Sequence, residues 1–173
     1  MSPAKRVIGL DPGTITAGYG IVERRGSRLH HIDNGLLMAP KRAPLPERLR
    51  CIYEQLQEVF AKHSPDVVAV ESVFFSQNAK AALHLGHARG VLLLAAAQNT
   101  DIISSFAPTK VKQTLTGRGR ATKLQVQMMV KTLLGLPEPP AEDAADALAV
   151  ALCHFHHETE NVIRDRAHPR RRR

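Results

Sequence analysis

Between two helical patterns the chain reads DVVAVES (residues 66–72), four consecutive apolar residues closed by an acid. A strand with one wet face alternates apolar and polar residues, whereas a strand that is apolar at every position needs cover on both faces. Its flanks can supply that cover. From Pro46 onward, Leu49, Ile52, Tyr53, Leu56, Val59 and Phe60 recur at helical spacing until Ser64-Pro65-Asp66 ends the pattern. Residues 78–98 form a second helical stretch, apolar nearly all round, with Gly86, Ala88 and Gly90 permitting close approach. A buried strand between two helices marks an α/β layer rather than a hairpin protein.

Upstream, KRVIGLD (5–11), GYGIVERR (18–25) and RLHHIDNGLLM (28–38) read as three strands in antiparallel succession, the last two parted by Gly26-Ser27. Downstream, DIISSFAP (101–108) is a further strand. TGRGRATK (116–123) is a basic, glycine-rich linker, LQVQMMVKTLLGL (124–136) a helix, and after the break at PEPP the segment AEDAADALAVALCHF (141–155) is the last helix. The order βββαβαβαα predicts an α/β sheet with helices packed on its faces.

The 173 residues suffice for one domain, and 43% hydrophobic content with regular periodicity excludes a disordered chain. No apolar run approaches a membrane span, and the N-terminus lacks a signal peptide's apolar stretch, so no membrane association and a cytoplasmic location are expected. Cys51 and Cys153 both fall in helical patterns and read as free core thiols. The net charge of +8 is concentrated at the end: RDRAHPRRRR (164–173) carries six arginines against one aspartate, leaving +3 for residues 1–163. Total charge is therefore weak evidence for a nucleic-acid partner.

The placement of the acids says more. Asp11 follows the apolar run VIGL, and Pro12-Gly13 turns the chain there; Glu71 follows VVAV in the same way. The carboxyl ends of strands line the functional crevice of open α/β sheets. Asp143 and Asp146, three apart on the last helix, share a face about 60° wide that continues apolar through Val150 and Cys153. Four carboxylates converging there would raise one another's pKa unless a cation neutralised them. Hard oxygen donors suit Mg²⁺ or Mn²⁺, and two such ions about 4 Å apart serve phosphodiester hydrolysis. Each acid taken singly has an ordinary alternative, as a turn former or as a favourable charge at a helix start. CHFHH (153–157) is no zinc cluster, since successive helix positions point apart; a positive charge at a helix C-terminus fits it better.

The stretches GLDPGTITAGYGIV, VAVESVF, ALHLGHARGVLLLAA, VKQTLTGRGRATKLQVQMMV and AEDAADALAVALCH, in this order and spacing, closely resemble the bacterial RuvC Holliday junction resolvase family. The likeness covers residues 6–157. It implies a ribonuclease-H-like fold with a mixed five-stranded sheet and helices on both faces. It also implies a homodimer and a two-metal Mg²⁺-dependent endonuclease that resolves four-way DNA junctions by paired symmetric nicks, working with the branch-migration proteins RuvA and RuvB. Carried over by motif, the catalytic and metal-binding acids are Asp11, Glu71, Asp143 and Asp146. Lys112 and Lys123 match DNA-contacting basic positions, and Phe74 an aromatic that stacks on junction bases, although periodicity alone does not choose between Phe74 and Phe75. Arg118 and Arg120 would add auxiliary phosphate contacts. Residues 1–158 then form the nuclease domain and 159–173 a basic, disordered tail.

The long apolar helix at 78–98 needs a second buried face, which a symmetry mate or a neighbouring helix of the same chain can provide. Three other functions compete: a phosphate-loop ATPase of the actin and hexokinase type, which also opens with a strand and D-x-G-T but needs two such domains; an RNA-trimming nuclease; and a non-enzymatic junction-binding scaffold.

Overall fold

The computed structural model describes residues 5–72 and 78–167, with side chains described as far as residue 161. Strands β1 (Lys5–Asp11), β2 (Thr16–Arg25) and β3 (Arg28–Met38) are followed by helix α1 (Leu45–His63), strand β4 (Val67–Glu71), helix α2 (Ala79–Ala97) and strand β5 (Ile103–Phe106). Helices α3 (Pro108–Thr116), α4 (Lys123–Leu134) and α5 (Glu142–Ala167) complete the chain.

The strands form one mixed five-stranded sheet in the order β3-β2-β1-β4-β5. The β1–β2 and β2–β3 pairs are antiparallel, and β4 and β5 extend the sheet in parallel beyond β1. The alternation of the strands divides the core in two. Ile8, Leu10, Val68 and Val70 face Ile52, Leu56 and Phe60 of α1 and Leu92, Ala95 and Ala96 of α2. Val7, Val22, Val67 and Ala69 face Val111 and Leu115 of α3, Val126 and Val130 of α4, and the apolar stripe of α5. Val67 to Val70 are fully buried, as expected of a strand covered on both sides.

Helix α5 lies directly on β1 and β2 because two glycines make room. A Cβ on Gly9 would lie 2.7 Å from the Ala151 nitrogen, and one on Gly18 would lie 2.5 Å from the Asp143 carbonyl carbon. Glu158 ties the same helix to the sheet through Lys5 and through Arg24 at 3.1 Å.

Three sequence expectations change. The expected order ends in two helices, and the structure has a third, because PTKVKQTLT (108–116) is helical; its small apolar content, Val111 and Leu115 one turn apart, is fully used against the core. Helix α5 continues to Ala167, past the expected boundary at 158, so residues 159–167 are helical; residues 168–173 lie outside the described residues. His154 consequently sits mid-helix. It is buried edge-on to Phe106, and that burial lowers its pKa despite Glu158 at 3.4 Å, so a helix-end charge is not its role.

Candidate active site

Three separate elements bring acids to one end of the sheet. Strand β1 stops at Asp11 because Pro12 has no N–H to continue a ladder. The parallel register pairs Leu10 with Val70, so Asp11 and Glu71 are the next residues on adjacent strands, roughly 4.8 Å apart in backbone spacing. Across the other edge of β1, Asp11 pairs with Gly18, the residue against which the first turn of α5 is seated. That turn carries Asp143, and Asp146 follows on the same face in the next turn. All four acids, with Lys112 of α3 and Lys123 of α4, line a single cavity of about 340 Å³.

Electrostatics in this cavity are unfavourable to bare carboxylates. Burial, and then the negative charges of Glu71, Asp146 and Asp143, push the Asp11 carboxyl up to about 8. Burial and Asp146 also raise Glu71, opposed by a hydrogen bond from Asp11 and by Lys112 and Lys123. Asp146 is raised by burial against the pull of Lys123. Lys123 begins α4 behind a capping box formed by Thr122 and Gln125. Its ammonium bonds Glu142, which raises its pKa, and lies 3.9 Å from the Asp146 carboxylate. With the side chains so arranged, no three His, Cys, Asp or Glu groups among the described residues form a ready coordination sphere. The donor set nonetheless fits a hard divalent cation: every acid offers only oxygen, and the crowding of buried carboxylates is the kind a cation relieves.

The remaining expected contacts distribute unevenly. Arg118 and Arg120 are exposed on the loop between α3 and α4. Arg118 borders a different groove of about 450 Å³, with Thr116, Gln125, Met128 and Met129, rather than the acid cavity. Phe74, like Phe75, lies outside the described residues. Glu142, by sequence an ordinary acid at a helix start, is the partner that holds Lys123. Arg89, in the apolar helix α2, also reaches this region and carried no linear signal at all.

A family model for "Crossover junction endodeoxyribonuclease RuvC" matches residues 7–154. The chain belongs to the RuvC family. Among curated relatives, the RuvC of Syntrophotalea carbinolica is 50% identical over 151 residues, covering 87% of this chain and 94% of that one. The RuvC of Citrifermentans bemidjiense is 46% identical over 157 residues, covering 91% and 96%. Among solved structures, Thermus thermophilus RuvC in complex with a Holliday junction substrate superposes with a TM-score of 0.83 at 34% identity, covering 91% of this chain and 96% of that one. The yeast mitochondrial Holliday junction resolvase, at 17% identity and a TM-score of 0.66, shares the fold, with 91% and 80% covered. The RuvC resemblance read from the motifs and the mixed five-stranded architecture are thus both borne out.

Proposed function

We propose that this member of the RuvC family is a divalent-metal-dependent endonuclease that resolves four-way DNA junctions, each of two copies nicking one strand of a symmetric pair. The observation that carries this reading is the convergence of Asp11, Glu71, Asp143 and Asp146, from β1, β4 and α5, on one cavity edged by Lys112 and Lys123.

The four carboxylates are the residues to hold Mg²⁺, with Mn²⁺ a chemically equivalent choice. Two such ions supply a nucleophile at neutral pH and offset charge on the leaving oxygen of a phosphodiester. Asp11, buried and crowded by the charges of the other three acids, would be one of the residues that hold the metal. Lys112 and Lys123 steady the phosphate; contacts of this kind fix register without reading sequence. Lys123 must exchange Glu142 for the DNA to do so. Arg118 and Arg120 extend the basic surface along the α3–α4 loop, and Phe74 is the residue assigned to stack on an unpaired base at the junction centre, worth about 1–3 kcal/mol.

Paired nicks need two sites. Helix α2 buries Ala88, Leu92, Ala95 and Ala96 against the sheet while leaving Leu83 and Leu94 62% and 57% exposed, a second apolar face that a second copy would cover. The catalytic unit is taken to run to residue 158, and the last turns of α5 extend beyond it. RuvA and RuvB are the branch-migration partners that family membership brings with it. A cytoplasmic setting is consistent with the lack, among the described residues, of a helix able to cross a membrane.

The deciding experiment incubates the protein with a synthetic junction, the matched duplex and an RNA–DNA hybrid, with and without Mg²⁺, and maps the nicks. Symmetric paired nicks confined to the junction and to divalent-ion conditions are expected, leaving 5′-phosphate and 3′-hydroxyl ends. Asp11→Asn should bind the junction without cutting it. Undiminished cutting by that variant, or preference for the hybrid, would overturn the assignment.

A further inference from the structure

Helix α2 reaches the acid cluster through one side chain. From the middle of the helix, Arg89 donates from Nε to the main-chain carbonyl oxygen of Glu71 at 3.2 Å and from Nη2 to Ser105 Oγ at 2.9 Å. Glu71 is the last residue of β4 and pairs with Phe106 at the end of β5; just beyond, the Ser72 N–H donates to the Phe106 carbonyl at 2.8 Å. One guanidinium therefore clamps two strand ends where their ladder runs out. Its charge is not the point of contact with the Glu71 carboxyl, on which the cations that pull are Lys112 and Lys123. Arg89 holds the backbone instead. Because the peptide unit is planar, holding this carbonyl restrains the plane that follows Glu71, and with it the Cα from which the carboxylate leaves the strand. A planar fork with separated donors bridges two acceptors in this way, whereas an ammonium offers a single point.

We propose that Arg89 is a positioning residue for the nuclease reaction: by locking the Glu71 carbonyl to Ser105, it holds the Glu71 carboxylate in register with Asp11. This rests on the reading of Glu71 as a metal ligand. Groups that orient a metal ligand act through its geometry and not through contact with substrate.

The test uses the full chain. Arg89→Met keeps the stem and removes the fork, and Arg89→Lys keeps the charge. Both are expected to lower kcat at saturating junction and to weaken Mn²⁺ binding measured by calorimetry, each about 10-fold, with KM for the junction unchanged. A purely structural role would lower the melting temperature while leaving kcat and Mn²⁺ affinity of the folded protein at wild-type values, and that result overturns the proposal. Wild-type behaviour of Arg89→Lys overturns it as well, because charge alone would then suffice. Glu71→Gln is measured in parallel. If Glu71→Gln itself keeps cleavage and Mn²⁺ affinity, the assignment of Glu71 has failed and Arg89 falls with it. If Glu71→Gln loses both while Arg89→Met loses neither, only the role of Arg89 is refuted.

Discussion

Gly18 and the main-chain carbonyl of Asp143 are in contact across the β2–α5 interface, at a distance that leaves no room for a Cβ. The atoms in the way are backbone, so a side chain there cannot be accommodated by a rotamer change. Gly18→Ala should destabilise the fold by about 2–3 kcal/mol, the upper part of the range for overpacking, in urea unfolding. Because the displaced turn carries Asp143 and leads directly into Asp146, the variant should also bind Mn²⁺ more weakly than wild type at temperatures where both are folded. Full Mn²⁺ affinity in a folded Gly18→Ala protein would show that the seat of α5 does not set the acids.

The Asp11 carboxyl gives a pH dependence with a definite sign. In the folded, metal-free protein, burial and the neighbouring acids push it up to about 8 from an ordinary value of 3.8. The folded state therefore retains a proton that the unfolded state releases, and stability falls as pH rises from about 4 through about 8. Unfolding in EDTA at pH 5 and pH 9 should show this loss, and Asp11→Asn should remove part of it, becoming more stable than wild type at pH 9. Mg²⁺ should stabilise the wild-type chain more at pH 9 than at pH 5, since ionised carboxylates are what it binds. A flat profile in EDTA would contradict the crowding of the acids.

Lys123→Ala should weaken junction binding about uniformly across sequences and reduce the slope of log affinity against log salt by about one. The effect on folding stability should stay under about 1 kcal/mol, because the pair that Lys123 forms with Glu142 is more than half exposed at both ends. Titrations of a fluorescent junction at several salt concentrations separate this outcome from a packing role, which would leave the slope unchanged.

Leu94→Glu places a charge on the uncovered face of α2, away from the core residues of that helix. Sedimentation should find the wild-type chain as a dimer and the variant as a monomer with an unchanged far-ultraviolet spectrum. Junction nicks made by the variant should lose their pairing. A monomeric wild-type chain at micromolar concentration would remove the dimer from the mechanism.

Much of this architecture was readable because the deciding signals are local. The apolar runs before Asp11 and Glu71 end at the acids themselves, and the final helix begins with its two aspartates beside an unbroken apolar stripe. Helix α3 was not readable: PTKVKQTLT shows two apolar residues, too few to distinguish a helix from a linker, and the neighbouring α4 and α5 turn them into core. The last turns of α5 are polar and charged, so nothing in their periodicity marks them as helical. Arg89 was hidden for a different reason. Its partners are a carbonyl and a hydroxyl on two other strands, and a backbone acceptor has no identity in a sequence.

Asp11 belongs to the first strand and Asp143 and Asp146 to the last helix, with the sheet and four helices between them in chain order. During synthesis, a ribosome that has released β1 through α4 has delivered every core element but the one that closes the acid cluster. If the four acids are the catalytic set, a polypeptide that ends before α5 lacks two of them and should not cut DNA. Nuclease competence would then wait for α5 to dock on the glycines of β1 and β2.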